Sequence, residues 1–376
     1  MTNALYIHVP FCVKKCIYCD FLSVPYDEDL ALEYIAAVSR ELDLRKERVG
    51  ELRTIYIGGG TPTTLPAPAL ARLLRKIQES FRIAPHAEVT IEANPGTIDE
   101  EKIGALCDAG INRLSVGAQA FNDRDLRLLG RIHSGEDVIN ALGAARYSKV
   151  GNISIDLIYG IPGQTMEGWS HAIATAVELS PEHISAYELT PEKGTPLHGL
   201  IEQGRLKKPD EETIIDMYCL AIDAFCNAGF GHYEISNFAR PGFECRHNLN
   251  YWDRGHYLGV GPGAHSFIGG RRTRNTADIG KYLETLARDD LAIEEDVEIS
   301  CEEAIKEYIF LGLRKTEGLN IREFGENLGI DIVTASEPLV RDGLLLSDGS
   351  HVRLTRRGIV LSNTVITELF ERLELQ

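Results

Sequence analysis

Six short segments rich in β-branched and aromatic residues constrain the fold of this chain more than any other feature. They read ALYIHVP, TIYIGGGTP, EVTIEANPG, RLSVGAQAF, NISIDLIYGIPG and HISAYELTPE. Each ends in glycine, proline or a polar residue, and each is followed by a segment with helical periodicity. Strands that alternate with helices favour a parallel sheet with right-handed crossovers. The series therefore predicts an α/β fold whose sheet curls into a full or partial barrel.

Glycines and polar residues collect where these segments end. In parallel α/β folds the functional groups lie at the carboxyl ends of the strands. We therefore expect these residues to meet on one rim of the barrel. They are the cysteine loop after the first segment, Gly58-Gly59-Gly60-Thr61, Glu92 and Asn94, Gln119, Asp156, and Tyr187 with Glu188.

The regular alternation stops after about residue 200. The stretch from Gly229 to about Gly270, rich in glycine, aromatic residues and histidine, is interpreted as a cap or insert. Helical segments followed by a hairpin with Asp348-Gly349 at its turn indicate a small winged-helix-like unit. The predicted division is residues 1–235 for the barrel, 236–290 for a linking segment and 291–376 for a C-terminal α+β region.

The acidic charge balance argues against nucleic acid as a partner. The formal charge of -17 is spread along 376 residues, so phosphates meet net repulsion. Residues 300–376 hold 9 Lys or Arg against 13 Asp or Glu, which also argues against DNA binding by the winged-helix-like unit.

The N-terminal segment MTNALYIHVP lacks the basic and apolar regions of a signal peptide, and no later segment offers about 18 consecutive apolar residues. We expect a cytoplasmic protein without a transmembrane segment, and peripheral membrane contact stays open. In a reducing compartment, cysteines are better candidates for metal ligands or core residues than for disulfides. Cys107, Cys219, Cys226 and Cys301 lie singly in helical patterns and are expected in the core.

The segment FCVKKCIYCDF places Cys12, Cys16 and Cys19 directly after the first predicted strand. A loop can wrap three thiolates around one metal centre, and Lys14 and Lys15 favour deprotonated sulfur. A 4Fe-4S cubane normally takes four cysteines, so three leave one iron open to another ligand.

A structural zinc site is the alternative for these three cysteines. Zinc in such sites takes four protein ligands. The fourth would have to come from Asp20 or from distant Cys245 or His247.

The C-x3-C-x2-C spacing, with Tyr18 before the last cysteine, resembles the radical S-adenosylmethionine (SAM) superfamily. The resemblance implies that SAM chelates the fourth iron and that reduction of the cluster cleaves SAM to a 5'-deoxyadenosyl radical. Together with GGGTPT, EANPG, SVGAQAF, LGRIH, DLIYGIPGQT, YELTPEKGTPL and ISNFARPGFECRHNLNYW, it extends over essentially the whole chain to the HemN/HemW family. The implied fold is a partial (β/α)6 barrel with a C-terminal α+β, winged-helix-like region.

Carried over to matching positions, the resemblance assigns residues to each cofactor. Cys12, Cys16 and Cys19 would hold the cluster, with Tyr6 and Tyr18 beside it. Arg131 suits a carboxylate because its guanidinium can bind one bidentately. The residues assigned to SAM are Gly59, Gly60 and Thr61 at its methionine end, and Glu92, Gln119, Arg131 and Asp156 around its carboxylate and ribose.

Five positions on the predicted rim are also compatible with a purely structural role. Gly58, Gly59 and Gly60 can form a flexible turn. Glu92 and Asp156 can be surface or helix-capping carboxylates.

Two departures separate the chain from the coproporphyrinogen III dehydrogenases of this family. Those enzymes carry a fourth cysteine two residues after the third, where this chain has Phe21, and they have a longer N-terminal extension. The segment HNLNYW instead matches the HNxxYW signature of the family's heme chaperones. The resemblance thus implies a chaperone for heme, whose partners are heme and apoproteins that accept it, respiratory enzymes among them. A radical SAM coproporphyrinogen III dehydrogenase is the alternative.

The HNxxYW signature also indicates a heme site. Imidazole is a common axial ligand of heme iron, and aromatic rings can stack on a porphyrin, so His247 with Tyr251 and Trp252 is the candidate. A hydrogen-bonded core histidine is the alternative. Further candidate ligands, which spacing does not rank, are His8, His133, His256 and His265.

Overall fold

The computed structural model describes residues 2–375, apart from the side chain of Asn327. Its largest element is a sheet in which all six predicted strands run parallel and pair in chain order, which confirms the predicted alternation. The six strands are β1 (Thr2–Val9), β2 (Val49–Gly59), β3 (Ile83–Ala93), β4 (Arg113–Gln119), β5 (Ile153–Tyr159) and β6 (His183–Glu188).

Three short strands extend the sheet at its two edges: β7 (Gly231–Glu234), β8 (Asn237–Ala239) and β9 (Leu258–Val260). β9 pairs in parallel with β1, whereas β8 pairs antiparallel with β6 and with β7. Within residues 2–375 no ladder joins β7 to β9, so the barrel is partial.

The expectation of a cap or insert between Gly229 and Gly270 is therefore wrong for these three strands. They belong to the barrel sheet itself. Strands of three or four residues are too short to show a readable alternation in sequence.

Most helices before residue 300 pack on the outer face of this sheet, and those from residue 301 onward build the C-terminal region. Within the described residues they are α1 (Glu28–Arg45), α2 (Ala67–Ser80), α3 (Glu100–Asp108), α4 (Asp123–Leu129), α5 (Gly135–Tyr147), α6 (Met166–Glu178), α7 (Pro196–Glu202), α8 (Glu211–Asn227), α9 (Arg246–Trp252), α10 (Ile279–Leu286), α11 (Cys301–Gly312), α12 (Ile321–Glu323), α13 (Ile332–Arg341), α14 (Arg356–Val360) and α15 (Ser362–Arg372). No helix in residues 2–375 is both long and apolar enough to cross a lipid bilayer.

Alternate residues of each strand face opposite sides of the sheet. On β2, Ile55 and Ile57 are almost fully buried in the apolar core. Thr54 and Tyr56 point to the other side, where they contact polar side chains, and Tyr56 reaches Glu92 of β3. The sheet thus has an apolar outer face and a polar inner face.

The C-terminal region has a hydrophobic core of its own, which runs from Ile309 to Leu369. The last six strands are β10 (His265–Ile268), β11 (Arg271–Asn275), β12 (Ile293–Glu298), β13 (Leu319–Asn320), β14 (Leu345–Ser347) and β15 (His351–Leu354). The first three form one antiparallel sheet, and the last three form a second in the order β13-β15-β14. The predicted hairpin is confirmed, with Gly349 at φ +86° in its turn.

The domain boundaries after residues 235 and 290 stay predictions. The pairing of β11 with β12 crosses the second one.

The single cysteines are less buried than expected. Cys226 and Cys301 are exposed, and Cys107 and Cys219 are only partly buried. The expectation of core positions is therefore wrong for the first two. Helical spacing shows that a residue lies on a helix but does not fix which side faces the core when neighbours such as Phe225 are also apolar.

A buried ionic network fixes α1 to the segment after β9. Glu41 is fully buried and pairs with Arg45 at 2.9 Å. Its carboxylate also accepts hydrogen bonds from the Asn275 amide at 2.8 Å, the Gly261 amide at 3.0 Å and the Tyr282 hydroxyl at 2.7 Å. A buried charge is tolerated only with such partners.

We expect Glu41→Ala to lower the free energy of unfolding by about 3–5 kcal/mol, because Arg45 keeps its charge in the interior without its partner. Urea unfolding followed by circular dichroism measures the change. Glu33→Ala, at an exposed position of the same helix, is the control and should stay within about 0.5 kcal/mol of the unmodified protein. Equal stability of the two variants would contradict the role of the network.

Candidate functional site

The cysteine loop lies directly against the end of β2. Cys12 ends the two-residue strand Phe11–Cys12, which pairs in parallel with Val24–Pro25. The Thr61 amide donates to the Phe11 carbonyl at 2.7 Å, and Thr61 Oγ1 lies 3.6 Å from Cys12 Sγ. Thr61 is therefore placed beside the first predicted cluster ligand.

The glycines at the end of β2 permit this close approach. Gly59 has φ +114°, which other residues rarely adopt. A Cβ on Gly60 would lie 2.7 Å from the Phe11 carbonyl oxygen and 3.1 Å from Cys12 Sγ. Gly60 thus serves packing against the cysteine loop and Gly59 leaves room for the His8 ring, neither of which a merely flexible turn would require.

Burial affects the pKa of the Cys19 thiol more than lysine charge does. Cys12 is buried, whereas Cys16 and Cys19 are partly exposed. Loss of solvation raises the pKa of Cys19, and the Lys15 charge opposes this only in part. The expected effect of lysine charge is present for Lys15, and it is smaller than the effect of burial.

Arg131 reaches the loop from the segment after α4. Its Nη1 donates to Cys16 Sγ at 3.5 Å, and its Nη2 donates to the Gly117 carbonyl at 2.6 Å. Among the described residues, its buried Nε has no hydrogen-bond partner. Arg131 therefore keeps one N–H for a further acceptor beside the predicted cluster ligands.

Glu92 stands near the end of β3 with both carboxylate oxygens hydrogen-bonded. Oε1 accepts from the Tyr56 hydroxyl at 2.8 Å, and Oε2 accepts from the Gly59 amide at 3.1 Å. Burial of the carboxylate raises the pKa of Glu92 to about 7, although Tyr56 and Gly59 act in the opposite direction. Glu92 is thus an interior carboxyl group that can gain or lose a proton near neutral pH.

Asp156 also belongs to the polar inner face. It accepts from Ser115 Oγ at 3.1 and 3.2 Å and from Ser154 Oγ at 3.3 Å. Burial raises its pKa, and hydrogen bonds from serines oppose the change. The sequence placed Asp156 at a strand end, which is wrong, because β5 continues to Tyr159. The apolar residues Ile158 and Tyr159 continue the strand beyond Asp156, which therefore lies in its middle.

The remaining predicted residues lie around the same rim. Gln119 ends β4 with φ +67°, a left-handed backbone uncommon outside glycine. The Tyr6 hydroxyl is 3.0 Å from His8 Nδ1. Burial raises the pKa of Tyr18, and the charge of nearby Arg131 opposes this rise.

The described residues contain no group of three or more His, Cys, Asp or Glu side chains arranged to hold a single metal ion. A cubane differs from a single ion because each thiolate binds its own iron, so the thiols can lie farther apart. Two of the candidate fourth zinc ligands have hydrogen-bond partners elsewhere. Cys245 Sγ contacts Glu88 Oε1 at 3.7 Å, and His247 Nδ1 contacts Thr54 Oγ1 at 2.8 Å.

His247 lies inside the protein, at the start of α9. It is 1% exposed. Its Nδ1 is 2.8 Å from Thr54 Oγ1 and its Nε2 is 3.0 Å from the Tyr251 hydroxyl, so both ring nitrogens have partners. Burial lowers its pKa to about 3. This geometry favours the core-histidine alternative over iron ligation.

The other candidate heme ligands differ in accessibility. His8 and His133 are buried, and both ring nitrogens of each have partners. His256 packs edge-on against Phe267 with the ring centroids 5.5 Å apart, and His265 is exposed on β10.

Sequence reasoning missed Tyr56 and Glu88. Tyr56 faces the interior from β2, and Glu88 accepts from the backbone amides of Arg246 and His247 at 3.1 Å each. Period-two alternation was the available signal, because Tyr56 precedes Gly58 by two residues and Glu88 precedes Glu92 by four.

The residues on the rim fit the two cofactors that the resemblance implies. Three cysteines share one loop, and the glycines leave its approach free of side chains. The unpaired N–H of Arg131 suits a carboxylate, and Glu92 and Asp156 offer acceptors for amino or hydroxyl groups.

Comparison with known proteins supports this assignment. Residues 6–176 match the family model of the radical SAM superfamily, and residues 299–361 match that of the HemN C-terminal domain. "Heme chaperone HemW" of Bacillus subtilis (strain 168) is 39% identical over 370 residues, 96% of this chain and 98% of that relative. The protein of the same name from Lactococcus lactis subsp. lactis (strain IL1403) is 37% identical, covering 96% of each.

A solved structure has the same fold. The structure described as coproporphyrinogen III oxidase (HemN) from Escherichia coli, a radical SAM enzyme, aligns with a TM-score of 0.85, covering 98% of this chain and 90% of that one at 24% identity. Because relatives this similar span nearly its whole length, the chain belongs to the HemN/HemW family of the radical SAM superfamily.

Proposed function

We propose that this protein is a heme chaperone, which binds heme and delivers it to acceptor proteins in the cytoplasm, respiratory enzymes among them. The observation that carries the proposal is the similarity, over 96% of the chain, to proteins named heme chaperone HemW. The residue after the cysteine loop supports it. Phe21 stands 63% exposed at the position where the dehydrogenases carry a fourth cysteine.

The cysteine loop is proposed to hold a 4Fe-4S cluster through Cys12, Cys16 and Cys19. When bound and reduced, such a cluster supplies one-electron cleavage of SAM. The chain's own contribution is to keep three thiolates on one loop, with Arg131 donating to Cys16 Sγ. Tyr18 lies beside the guanidinium and Tyr6 lines the inner face of β1.

The adjoining rim is proposed to bind SAM. The unpaired N–H of Arg131 would meet its carboxylate, and the backbone of Gly59, Gly60 and Thr61 its methionine end. Glu92, Gln119 and Asp156 would accept from its amino and hydroxyl groups. The burial of both carboxylates strengthens such hydrogen bonds, because water competes less for them.

Heme is the proposed cargo. Since both ring nitrogens of His247 have hydrogen-bond partners, we do not propose it as an iron ligand.

The alternative function is oxidative decarboxylation of coproporphyrinogen III. An enzyme described as coproporphyrinogen III oxidase has the same fold, but a common fold does not determine the reaction.

Replacing Cys16 with serine should abolish the 4Fe-4S cluster, because two thiolates cannot hold the cubane. Anaerobic reconstitution, followed by iron and sulfide analysis and electron paramagnetic resonance, measures cluster content. Cys226→Ser, at an exposed cysteine on α8, is the matched control and should keep it. A full cluster in Cys16→Ser, or zinc at full occupancy in the unmodified protein, would refute the proposal.

Asp156→Ala should weaken SAM binding about 10-fold to 100-fold, the equivalent of about 1.5–3 kcal/mol for a lost hydrogen bond to a charged group. Calorimetric titration of the cluster-loaded protein gives the affinity. Asp216→Ala, at an exposed position of α8, serves as control. Unchanged affinity in Asp156→Ala would remove this residue from the site.

The unmodified protein should bind about one heme per chain and should not decarboxylate coproporphyrinogen III. Heme titration followed by the Soret band tests the first statement, and an anaerobic assay with SAM and a reductant tests the second. Transfer of bound heme to an apoprotein then tests delivery. Turnover comparable to a genuine dehydrogenase, or no saturable heme binding, would overturn the proposed function.

A further inference from the structure

Tyr56 connects the proposed SAM site to the HNxxYW signature. Its hydroxyl donates to Glu92 Oε1 at 2.8 Å. Its ring packs against two others: the Tyr6 centroid is 6.3 Å away at an interplanar angle of 29°, and the His247 centroid is 5.2 Å away at 27°. The hydroxyl position therefore depends on the packing of both rings against Tyr56.

His247 is itself held on three sides. Thr54 Oγ1 and the Tyr251 hydroxyl contact its two ring nitrogens, and its backbone amide donates to Glu88 Oε1 at 3.1 Å. Glu88 is only 4% exposed. Two of these anchors, Thr54 and Glu88, lie on the same strands as Tyr56 and Glu92. The start of α9 is thus fixed to the two strands that carry the acid and its donor.

We propose that Tyr56 is a positioning residue for SAM binding, and that the HNxxYW signature serves the SAM site by holding Tyr56 in place through His247. The inference rests on the proposed assignment of Glu92 to SAM. It gives His247 a role other than iron ligation, for which Nδ1 or Nε2 would have to leave its present partner.

The chemistry of Glu92 explains why one hydroxyl matters. Each carboxylate oxygen already has one protein donor and keeps a lone pair for a ligand. Without the Tyr56 hydroxyl, Oε1 loses its donor and the protein orients the carboxylate only through the Gly59 amide at Oε2. The ionised form also becomes less stable in the interior. The other charged or titratable groups facing Glu92 are Tyr6, Arg113, Asp156 and Tyr251.

The decisive variant is Tyr56→Phe, which removes one oxygen atom and keeps the stacked ring. In calorimetric titrations of the cluster-loaded protein we expect SAM to bind about tenfold more weakly. Because Tyr56 stabilises ionised Glu92, the pH below which SAM affinity falls should move upward in this variant. Tyr147→Phe, at a residue that is 74% exposed, is the matched control.

Two substitutions of His247 separate support of Tyr56 from iron ligation. His247→Phe keeps an aromatic face against Tyr56 and should keep SAM affinity within about threefold, whereas His247→Ala should weaken it by more. Both should retain the wild-type Soret position and heme affinity. A changed Soret band in His247→Phe would instead identify His247 as an iron ligand.

The outcomes distinguish this inference from the proposed function. An unmodified protein that binds no SAM would remove both the SAM site and the role of Tyr56. If the unmodified protein binds SAM, and Tyr56→Phe binds it equally well with the same pH profile, the inference alone is wrong. Heme titration of the same preparations tests the chaperone proposal separately.

Discussion

The period-two alternation of the parallel strands is the constraint on which the rest of this structure depends. One set of side chains enters the apolar core beneath the helices, and the other must be accommodated on the inner face of the partial barrel. There the chain buries ionisable groups such as Glu88 and Arg113 and partly buries Glu92 and Asp156. Their burial has a cost that only mutual hydrogen bonds and opposite charges offset. The interior is consequently a connected polar network, and a ligand at the rim meets groups that are already oriented.

The cysteine loop meets this network because glycine removes the side chains between them. The backbone of Gly60 touches the loop at Phe11 and Cys12, where a Cβ would clash. Arg131 also contacts the loop, where it donates to Cys16 and to the β4 backbone. The end of β2 and the Arg131 side chain thus fix the conformation of the cysteine loop. Sequence periodicity alone does not predict this conformation.

Sequence patterns predicted the parts of the fold that repeat, and missed those that depend on single contacts. All six parallel strands and the C-terminal hairpin follow from alternation and turn residues. The edge strands β7 to β9 did not, because they have only three or four residues. At the site, cysteine spacing and the motifs indicated the rim. The depth of Asp156 within β5 and the burial of His247 depend on which groups tertiary packing brings opposite them, and no local pattern encodes this.

The position of α9 gives the HNxxYW signature a structural meaning that its residue types alone do not supply. At its start, Glu88 of the barrel accepts from two of its backbone amides. Just after its end, Arg254 forms an ion pair with Glu307 of α11 at 2.7 Å, and Asp253 pairs with Lys315. The helix is therefore bound to the barrel at one end and to the C-terminal region at the other. Since its His247 packs on Tyr56, any displacement of α9 relative to β2 would alter the packing that holds the donor to Glu92. The His247 imidazole therefore affects the rim through packing and hydrogen bonds while it stays buried in the protein.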